Sequence, residues 1–272
     1  MIRKFFALGL MVLFSGCATR NQQAIDVAQY LEGVQGESVR ASRSGSRDCP
    51  GNSSSWENEA QWRRIIQMAS ACVKAGSWTQ VEAIGNHLAQ REHVAPWGSY
   101  YLSLAAEKQG ALPRALWMID LALKKAPREA LLVYQQGRVF WAMGEPEKAM
   151  ENFQMALRLN PELVDAHLTL GLIFYRDQEQ THALRHLEKV LSVEPRNVSA
   201  LMALGEIHYQ RKNMELAQQH LARAARERRS DENLQKRLAQ INEELAVEQA
   251  QAVAAARSRE PSSTDLEQKE QP

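Results

Sequence analysis

Few residues in this sequence have the types and spacing that chemistry requires. His182 and His186 are four residues apart, so on a helix both rings share one face and can hold a metal ion. No third ligand accompanies them, and a solvated helix face explains both residues without a metal. The sequence also lacks a glycine-rich phosphate loop, a paired CxxC motif and a Gly-x-Ser-x-Gly elbow. We therefore expect no catalysis, no metal, no cofactor and no small-molecule substrate.

The composition indicates a helical protein with no electrostatic attraction to nucleic acid. Of its 272 residues, 44% are hydrophobic and 24% are charged, and 33 basic residues against 32 acidic ones leave a formal charge of +1. Nucleic-acid binding normally requires a strongly basic face. From Trp56 onward Ala, Leu, Glu, Gln, Lys and Arg dominate, which favours helices over strands. The sequence therefore predicts an all-α fold without a sheet.

The clearest internal organisation is a segment that recurs after 34 residues. The two copies share a glycine, a proline and a set of aromatic and apolar positions, namely Gly137, Phe140, Ala149, Phe153, Ala156 and Pro161 in the first copy and Gly171, Phe174, Ala183, Leu187, Val190 and Pro195 in the second. This pattern resembles the tetratricopeptide repeat (TPR). The resemblance implies a superhelical solenoid, in which each helix-turn-helix repeat buries its apolar face against its neighbours.

Steps of 34 residues place about five repeats along the chain. They cover about 62–95, 96–129, 130–163, 164–197 and 198–231, within a repeat domain at 56–231. After them Leu234, Leu238, Ile241 and Leu245 recur at helical spacing, so we predict a capping helix over 232–257. The remaining 258–272 are predicted to be disordered, and the Ser-, Gly- and Arg-containing stretch at 17–55 is predicted to be a flexible tether.

The first sixteen residues have the pattern of a secretory signal. Arg3 and Lys4 precede an apolar run at 5–14 that is short for a permanent membrane span, although a membrane anchor or a buried helix is the alternative. The following Phe14-Ser15-Gly16-Cys17 resembles the lipobox of bacterial lipoproteins. The resemblance implies cleavage before Cys17 and lipidation of that cysteine. Because Ala18 rather than Asp follows, it also implies a lipid anchor in the outer membrane, facing the periplasm.

In such an oxidising compartment the other two cysteines are candidates for a disulfide. With Cys17 lipidated, Cys49 and Cys72 remain, and we predict that they pair. The bond would attach the end of the tether to the first repeat. The alternative is a buried thiol at Cys72 with Cys49 unpaired.

By resemblance to the family, the first helix of each repeat lines a concave groove. The residues at these positions are Trp97, Tyr100, Leu104, Leu131, Tyr134, Arg138, Trp141, Leu168, Leu172, Tyr175, Arg176, Met202, Glu206 and Tyr209. Exposed aromatic and aliphatic stripes mark interaction surfaces, and Tyr, Trp and Arg dominate binding energy at interfaces. The expected ligand is an amphipathic helix or an extended apolar peptide. The alternatives are that the chain's own tether or tail occupies the groove, or that these residues form core between repeats.

The lipobox, tether and repeats together are similar to the pilotins that help the secretin ring of type IV pili assemble, and to TPR lipoproteins of related secretion systems. The resemblance implies a non-catalytic outer-membrane lipoprotein that captures an envelope protein such as a secretin subunit. One alternative is an adaptor for peptidoglycan enzymes or proteases that binds with its outer surfaces. Another is a permanent structural component of a motility or secretion machine.

Overall fold

The computed structural model describes residues 62–257, and within that range all regular structure is helical, with no strand. The all-α prediction is confirmed there. Ten of the helices form five consecutive hairpins: α1 Trp62–Ala75 with α2 Trp78–Ala89, α3 Ala95–Lys108 with α4 Leu112–Lys125, α5 Ala130–Ala142 with α6 Pro146–Leu159, α7 Val164–Arg176 with α8 Gln180–Val193, and α9 Val198–Gln210 with α10 Met214–Glu227. A final helix, α11, covers Glu232–Arg257. The predicted signal segment, tether and tail lie outside the described residues.

The chain divides into two compact units, one up to Leu170 and one from Gly171 onward. The division falls within α7, whereas the sequence predicted one continuous repeat domain. The first unit contains the first three hairpins and the start of α7, and the second contains the end of α7, α8, the fifth hairpin and α11. The two units are described separately below.

The turn within each hairpin depends on one residue with a left-handed backbone. These residues are Gly76, Gly110, Gly144, Gln178 and Lys212, with φ between 61° and 78°, and each follows the previous one by 34 positions. Glycine adopts this conformation without steric cost and commonly ends helices, whereas Gln and Lys are strained there. The first three hairpins therefore close with the favoured residue and the last two do not.

The helices of a hairpin approach closely where a side chain is missing. A Cβ atom built on Gly137 would lie 2.8 Å from the Phe153 ring, which is fully buried. The Gly137 and Phe153 of the repeated sequence pattern therefore pack against each other across the hairpin. Close packing of this kind fixes α5 against α6, and so fixes the direction in which the rest of α5 faces.

The predicted capping helix packs through its first half only. Leu234, Ile241 and Leu245 are buried in a cluster with Leu221 and Ala224 of α10, as their helical spacing predicted. From 246 to 255 the residues of α11 are exposed. No helix within residues 62–257 is long and apolar enough to cross a membrane.

Candidate protein-binding site

In the first unit, two first helices bring together four of the predicted groove residues. Trp97 and Tyr100 come from α3, and Tyr134 and Arg138 come from α5. We call these four residues the aromatic face. The Trp97 and Tyr100 rings meet edge to face with centroids 6.0 Å apart, and all four side chains are partly exposed. Such residue types at a partly exposed surface are those that anchor protein partners.

The arginine of the aromatic face forms a largely buried ion pair. Arg138 Nη2 donates to Glu107 Oε1 at 2.6 Å, and the two side chains retain only 19% and 5% of their exposure. The other oxygen of Glu107 accepts a hydrogen bond from Gln135 Nε2 at 2.7 Å. Burial opposes the charge on Arg138, but Glu107 keeps the pKa of the guanidinium above its usual range. Arg138 therefore stays charged in a surrounding that contains little water.

The two tyrosines of the aromatic face lie in the same desolvated surrounding. Burial raises the pKa of Tyr134 to about 12, and the negative charge of Asp165 contributes. Its hydroxyl shares a 2.9 Å hydrogen bond with Thr169 Oγ1 of α7. Burial also raises the pKa of Tyr100 far above its usual range. The described residues give the Tyr100 hydroxyl no hydrogen-bond partner.

Two predicted groove residues are core residues. Leu104 is 3% exposed and packs in the core of the first hairpins with Tyr101 and Cys72, and Leu172 is 2% exposed. Their assignment to an open groove was wrong, because burial leaves neither side chain accessible to a partner. Leu131, Trp141 and Leu168 are partly buried.

In the second unit the chain itself covers the predicted groove residues of the fifth repeat. Met202 and Tyr209 of α9 pack against the buried cluster that includes Leu234 and Ile241 of α11. In this repeat the predicted capping helix therefore packs on these two side chains, whereas the predicted tail lies outside the described residues. Tyr175 and Arg176 of α7 remain partly exposed.

A second arginine–glutamate ion pair holds α11 against α9. Arg237 of α11 donates from Nε and Nη2 to the two oxygens of Glu206, at 2.8 and 2.7 Å. Its Nη1 donates to Gln240 Oε1 at 3.0 Å, and its guanidinium carbon lies 4.2 Å from the centroid of the Tyr209 ring. All three nitrogens of this guanidinium are therefore bonded within the chain.

An exposed tryptophan on α4 was not among the residues predicted from the sequence. Trp117 is 61% exposed and lies with Leu121 and Lys124 beside a cavity of about 410 Å³. The buried stripe of α4 contains Ala115 and Ile119. Trp117 lies two residues from each of them, so its position off the stripe was a signal available in the sequence. A second cavity, of about 510 Å³, adjoins Trp97 of the aromatic face.

Of the cysteines predicted to be lipidated or disulfide-bonded, only Cys72 lies within the described residues. Cys72 is fully buried and disulfide-bonded, so the alternative of a free thiol is wrong. Its bonding partner is outside the described range, as are Cys17 and Cys49, and pairing with Cys49 stays a prediction.

The histidine pair of α8 has a packing role. The rings of His182 and His186 lie 5.1 and 5.5 Å from the ring of Phe174, and His182 Nδ1 lies 3.1 Å from Glu179 Oε2. Within residues 62–257 there is no group of three or more His, Cys, Asp or Glu side chains that could hold a metal ion.

Comparison with known proteins agrees with this architecture. Family models described as tetratricopeptide repeat and as TPR repeat match residues 181–241 and 137–178. A thermophilic TPR protein from Thermus thermophilus is 19% identical, with a TM-score of 0.53, over 66% of this chain and 97% of that one. A tetratricopeptide repeat protein from Parabacteroides merdae is 20% identical, with a TM-score of 0.48, over 75% of this chain and 82% of that one. No curated protein matches the sequence significantly.

The fold and the aromatic face define a helical-repeat module of the kind that binds other proteins. Residues 137–178 and 181–241 match tetratricopeptide repeat models, and the fold is that of a TPR solenoid. Proteins built from these repeats are generally non-catalytic scaffolds.

Proposed function

We propose that this chain is a lipid-anchored scaffold of the outer membrane that binds a segment of an envelope protein on its aromatic face. The binding assists assembly or localisation of an envelope complex, such as a type IV pilus or a secretion secretin. The observation that carries the proposal is the aromatic face itself. Aromatic rings and a desolvated arginine are partly exposed in the first unit, whereas the corresponding residues of the fifth repeat are covered by α11. Support for the anchor comes from the lipobox-like residues before Cys17.

Capture of an apolar segment would keep a partner subunit from aggregating before it assembles. The lipid on Cys17 would then hold the captured subunit at the membrane where assembly takes place. Several acyl chains on one cysteine would make this attachment stable, since a single chain binds only marginally.

A second candidate function is an adaptor that binds folded peptidoglycan enzymes or proteases with its outer surface. Trp117 favours this candidate, because it is the most exposed large hydrophobic side chain within residues 62–257 and lies beside a cavity. A single tryptophan in such a position is a frequent centre of binding energy.

Site-specific photo-crosslinking in intact cells separates the two candidates. A benzophenone amino acid replaces Trp97 in one variant and Trp117 in the other, and mass spectrometry identifies the crosslinked proteins. Our proposal expects crosslinks to a secretin or other complex subunit from position 97 and few from position 117. Crosslinks to a cell-wall enzyme from position 117 alone would favour the adaptor. Metabolic labelling with a palmitate analogue tests the anchor, since Cys17→Ser should abolish the label.

A further inference from the structure

The exposed side of α4 combines an aromatic ring, an aliphatic side chain and basic groups. Trp117 and Leu121 lie one helical turn apart, and Lys124 follows on the same side one turn later. All three side chains line the cavity of about 410 Å³, so the ring and the ammonium group face the same opening. Lys125 and Arg128 continue the positive charge past the end of the helix. We call these five residues the α4 surface.

The cations of the α4 surface have no counter-ions in the described structure. Lys124, Lys125 and Arg128 are exposed, and none of them forms an ion pair with another side chain of residues 62–257. The acidic group that lines the same cavity, Asp120, accepts a 2.7 Å hydrogen bond from Gln136 Nε2 of α5. The surface therefore presents positive charge that a negatively charged partner can neutralise.

The equivalent segments of the neighbouring hairpins have a different charge. The stretch 112–129, which contains α4, has four basic and two acidic residues. The stretch 146–163 with α6 has two basic and three acidic residues, and the stretch 78–95 with α2 has one basic and two acidic residues. At the position of Trp117, α6 has the exposed Glu151. Among the three second helices of the first unit, only α4 therefore joins an exposed tryptophan to an excess of positive charge.

The residue types favour a lipid surface over a folded protein. Tryptophan rings are enriched at the level of the lipid headgroups, and basic side chains near a membrane are attracted by anionic headgroups. Their charged ends stay hydrated there, while their aliphatic parts cover apolar surface. Lysine, by contrast, is depleted at interfaces between proteins. Two lysines beside an exposed tryptophan therefore fit phospholipid better than they fit a protein partner.

We propose that the α4 surface lies on anionic phospholipid, with Trp117 and Leu121 at the level of the headgroups and the three cations against lipid phosphates. The inference rests on the membrane anchor of the proposed function, and it assigns Trp117 to lipid instead of to a folded enzyme. A lipid chain together with a basic patch attaches proteins stably, and the anchor raises the local concentration of the α4 surface at the membrane. The contact uses no residue of the aromatic face, so lipid and partner do not compete for the same side chains.

Photo-crosslinking in reconstituted vesicles tests the contact. The full chain, purified from cell envelopes in detergent, has a benzophenone amino acid at position 117. The matched control has it at position 151, the equivalent exposed position of α6. Each protein is reconstituted into vesicles of phosphatidylethanolamine with phosphatidylglycerol, or of phosphatidylcholine alone. Mass spectrometry after irradiation measures the yield of phospholipid adducts.

In the anionic vesicles we expect a yield from position 117 about fivefold or more above that from position 151, and a clear fall in phosphatidylcholine alone. Lys124→Glu should lower the yield from position 117 about fivefold or more, because each basic residue near an anionic surface contributes about that factor to binding. Arg158 of α6 is the matched control, since it is exposed and occupies the repeat position of Lys124. Arg158→Glu should change the yield less than about twofold.

Three results would overturn the inference. In the first, positions 117 and 151 give equal yields of lipid adducts. In the second, Lys124→Glu has no more effect than Arg158→Glu, with both variants shown to be folded by circular dichroism. In the third, position 117 crosslinks to a second copy of this chain or to a cell-wall enzyme and not to lipid.

The proposed function fails by different results. Loss of complex subunits from the crosslinks at position 97, with lipid adducts at position 117 retained, would refute the proposed function and leave this inference standing. A palmitate label that survives Cys17→Ser would refute the anchor, and lipid adducts that depend on Lys124 would support the α4 surface even then.

Discussion

Loss of one partner of the Glu107–Arg138 ion pair should destabilise the first unit by several kcal/mol. Glu107→Gln leaves the Arg138 charge, at 19% exposure, without its counter-ion. Breaking a buried pair in this way costs about 3–5 kcal/mol, and the remaining exposure of Arg138 places this variant near about 2–3 kcal/mol. Arg138→Met leaves a more deeply buried carboxylate, at 5% exposure, and should cost about 3–4 kcal/mol. The double variant should cost about 2 kcal/mol less than the sum of the two.

The structure provides a matched control for this double-mutant cycle. Glu82 and Arg114 have the same 2.6 Å separation, but their side chains are 28% and 43% exposed. Because exposed pairs contribute little, the coupling energy of Glu82→Gln with Arg114→Met should be below about 1 kcal/mol. The two cycles therefore differ in burial at constant distance.

Urea unfolding followed by circular dichroism measures the free energies. Hydrogen–deuterium exchange of peptides from α3 and α5 shows whether the loss is local, because repeat proteins lose stability unit by unit. A coupling energy for Glu107 and Arg138 no larger than that of the exposed pair would mean that water screens both pairs equally and that the surrounding of Arg138 is not desolvated.

Three further predictions concern packing, turns and pH. Gly137→Ala should destabilise by about 1–3 kcal/mol, since the new Cβ would lie 2.8 Å from the Phe153 ring, and urea midpoints measure the loss. Gln178→Gly should raise the free energy of unfolding by about 0.5–1 kcal/mol, because Gln178 has a φ of 63°. Burial, with His208 and Arg223 adding to it, lowers the pKa of His220 to about 4 from 6.5. The unfolded chain therefore binds the proton more readily, and stability should fall by about 1–2 kcal/mol between pH 6.5 and 4, as thermal unfolding would show.

Controls for these three predictions come from equivalent positions. Ala substitution at Gly144, where a Cβ would have nothing within 4 Å but φ is 78°, tests strain without a clash. An exposed residue such as Gln219 changed to Gly should be destabilising, in contrast to Gln178→Gly. His220→Gln should remove the additional slope between pH 6.5 and 4, and an unchanged slope would contradict the assigned cause.

The fold was predictable because many residue types recur together at the same interval along the chain. Besides the glycine and proline pattern, the turn residues Gly76, Gly110 and Gly144 follow the same 34-residue period, and Gln178 and Lys212 occupy the same place with the wrong residue type. No single one of these residues identifies the fold. Their constant spacing does identify it, because a hairpin of fixed length must turn at fixed intervals.

Exposure along the first helices was less predictable. Trp97, Tyr100 and Leu104 repeat at helical spacing, yet Leu104 is buried in the core with Tyr101 while the other two are partly exposed. The first helix of one repeat contacts the first helix of the next repeat as well as the second helix of its own hairpin. More of its surface is therefore buried than in an amphipathic helix with a single buried face. A sequence pattern alone does not show how far this burial extends around the helix.

The carboxylates beneath the two arginines were not identified in advance, although the sequence contained a signal. Glu107 and Arg138 are 31 residues apart, and so are Glu206 and Arg237. This separation is three residues short of the repeat period. It therefore places an acid of one first helix opposite a base of the next, about one helical turn earlier. A search for opposite charges at that spacing would have found both ion pairs.

The surroundings of Arg138 and Arg237 differ in the residue three positions further along the chain. Gln240 follows Arg237 and supplies an oxygen to its guanidinium, whereas Trp141 follows Arg138 and has no acceptor to offer. Thr169 of α7 reaches the aromatic face, but its hydroxyl bonds to Tyr134 rather than to the arginine. Among residues 62–257, the difference in bonding between Arg138 and Arg237 therefore follows from the residue types at two positions and not from the fold. The same repeat geometry thus holds α11 against α9 in the second unit and leaves the aromatic face of the first unit partly exposed within the described residues.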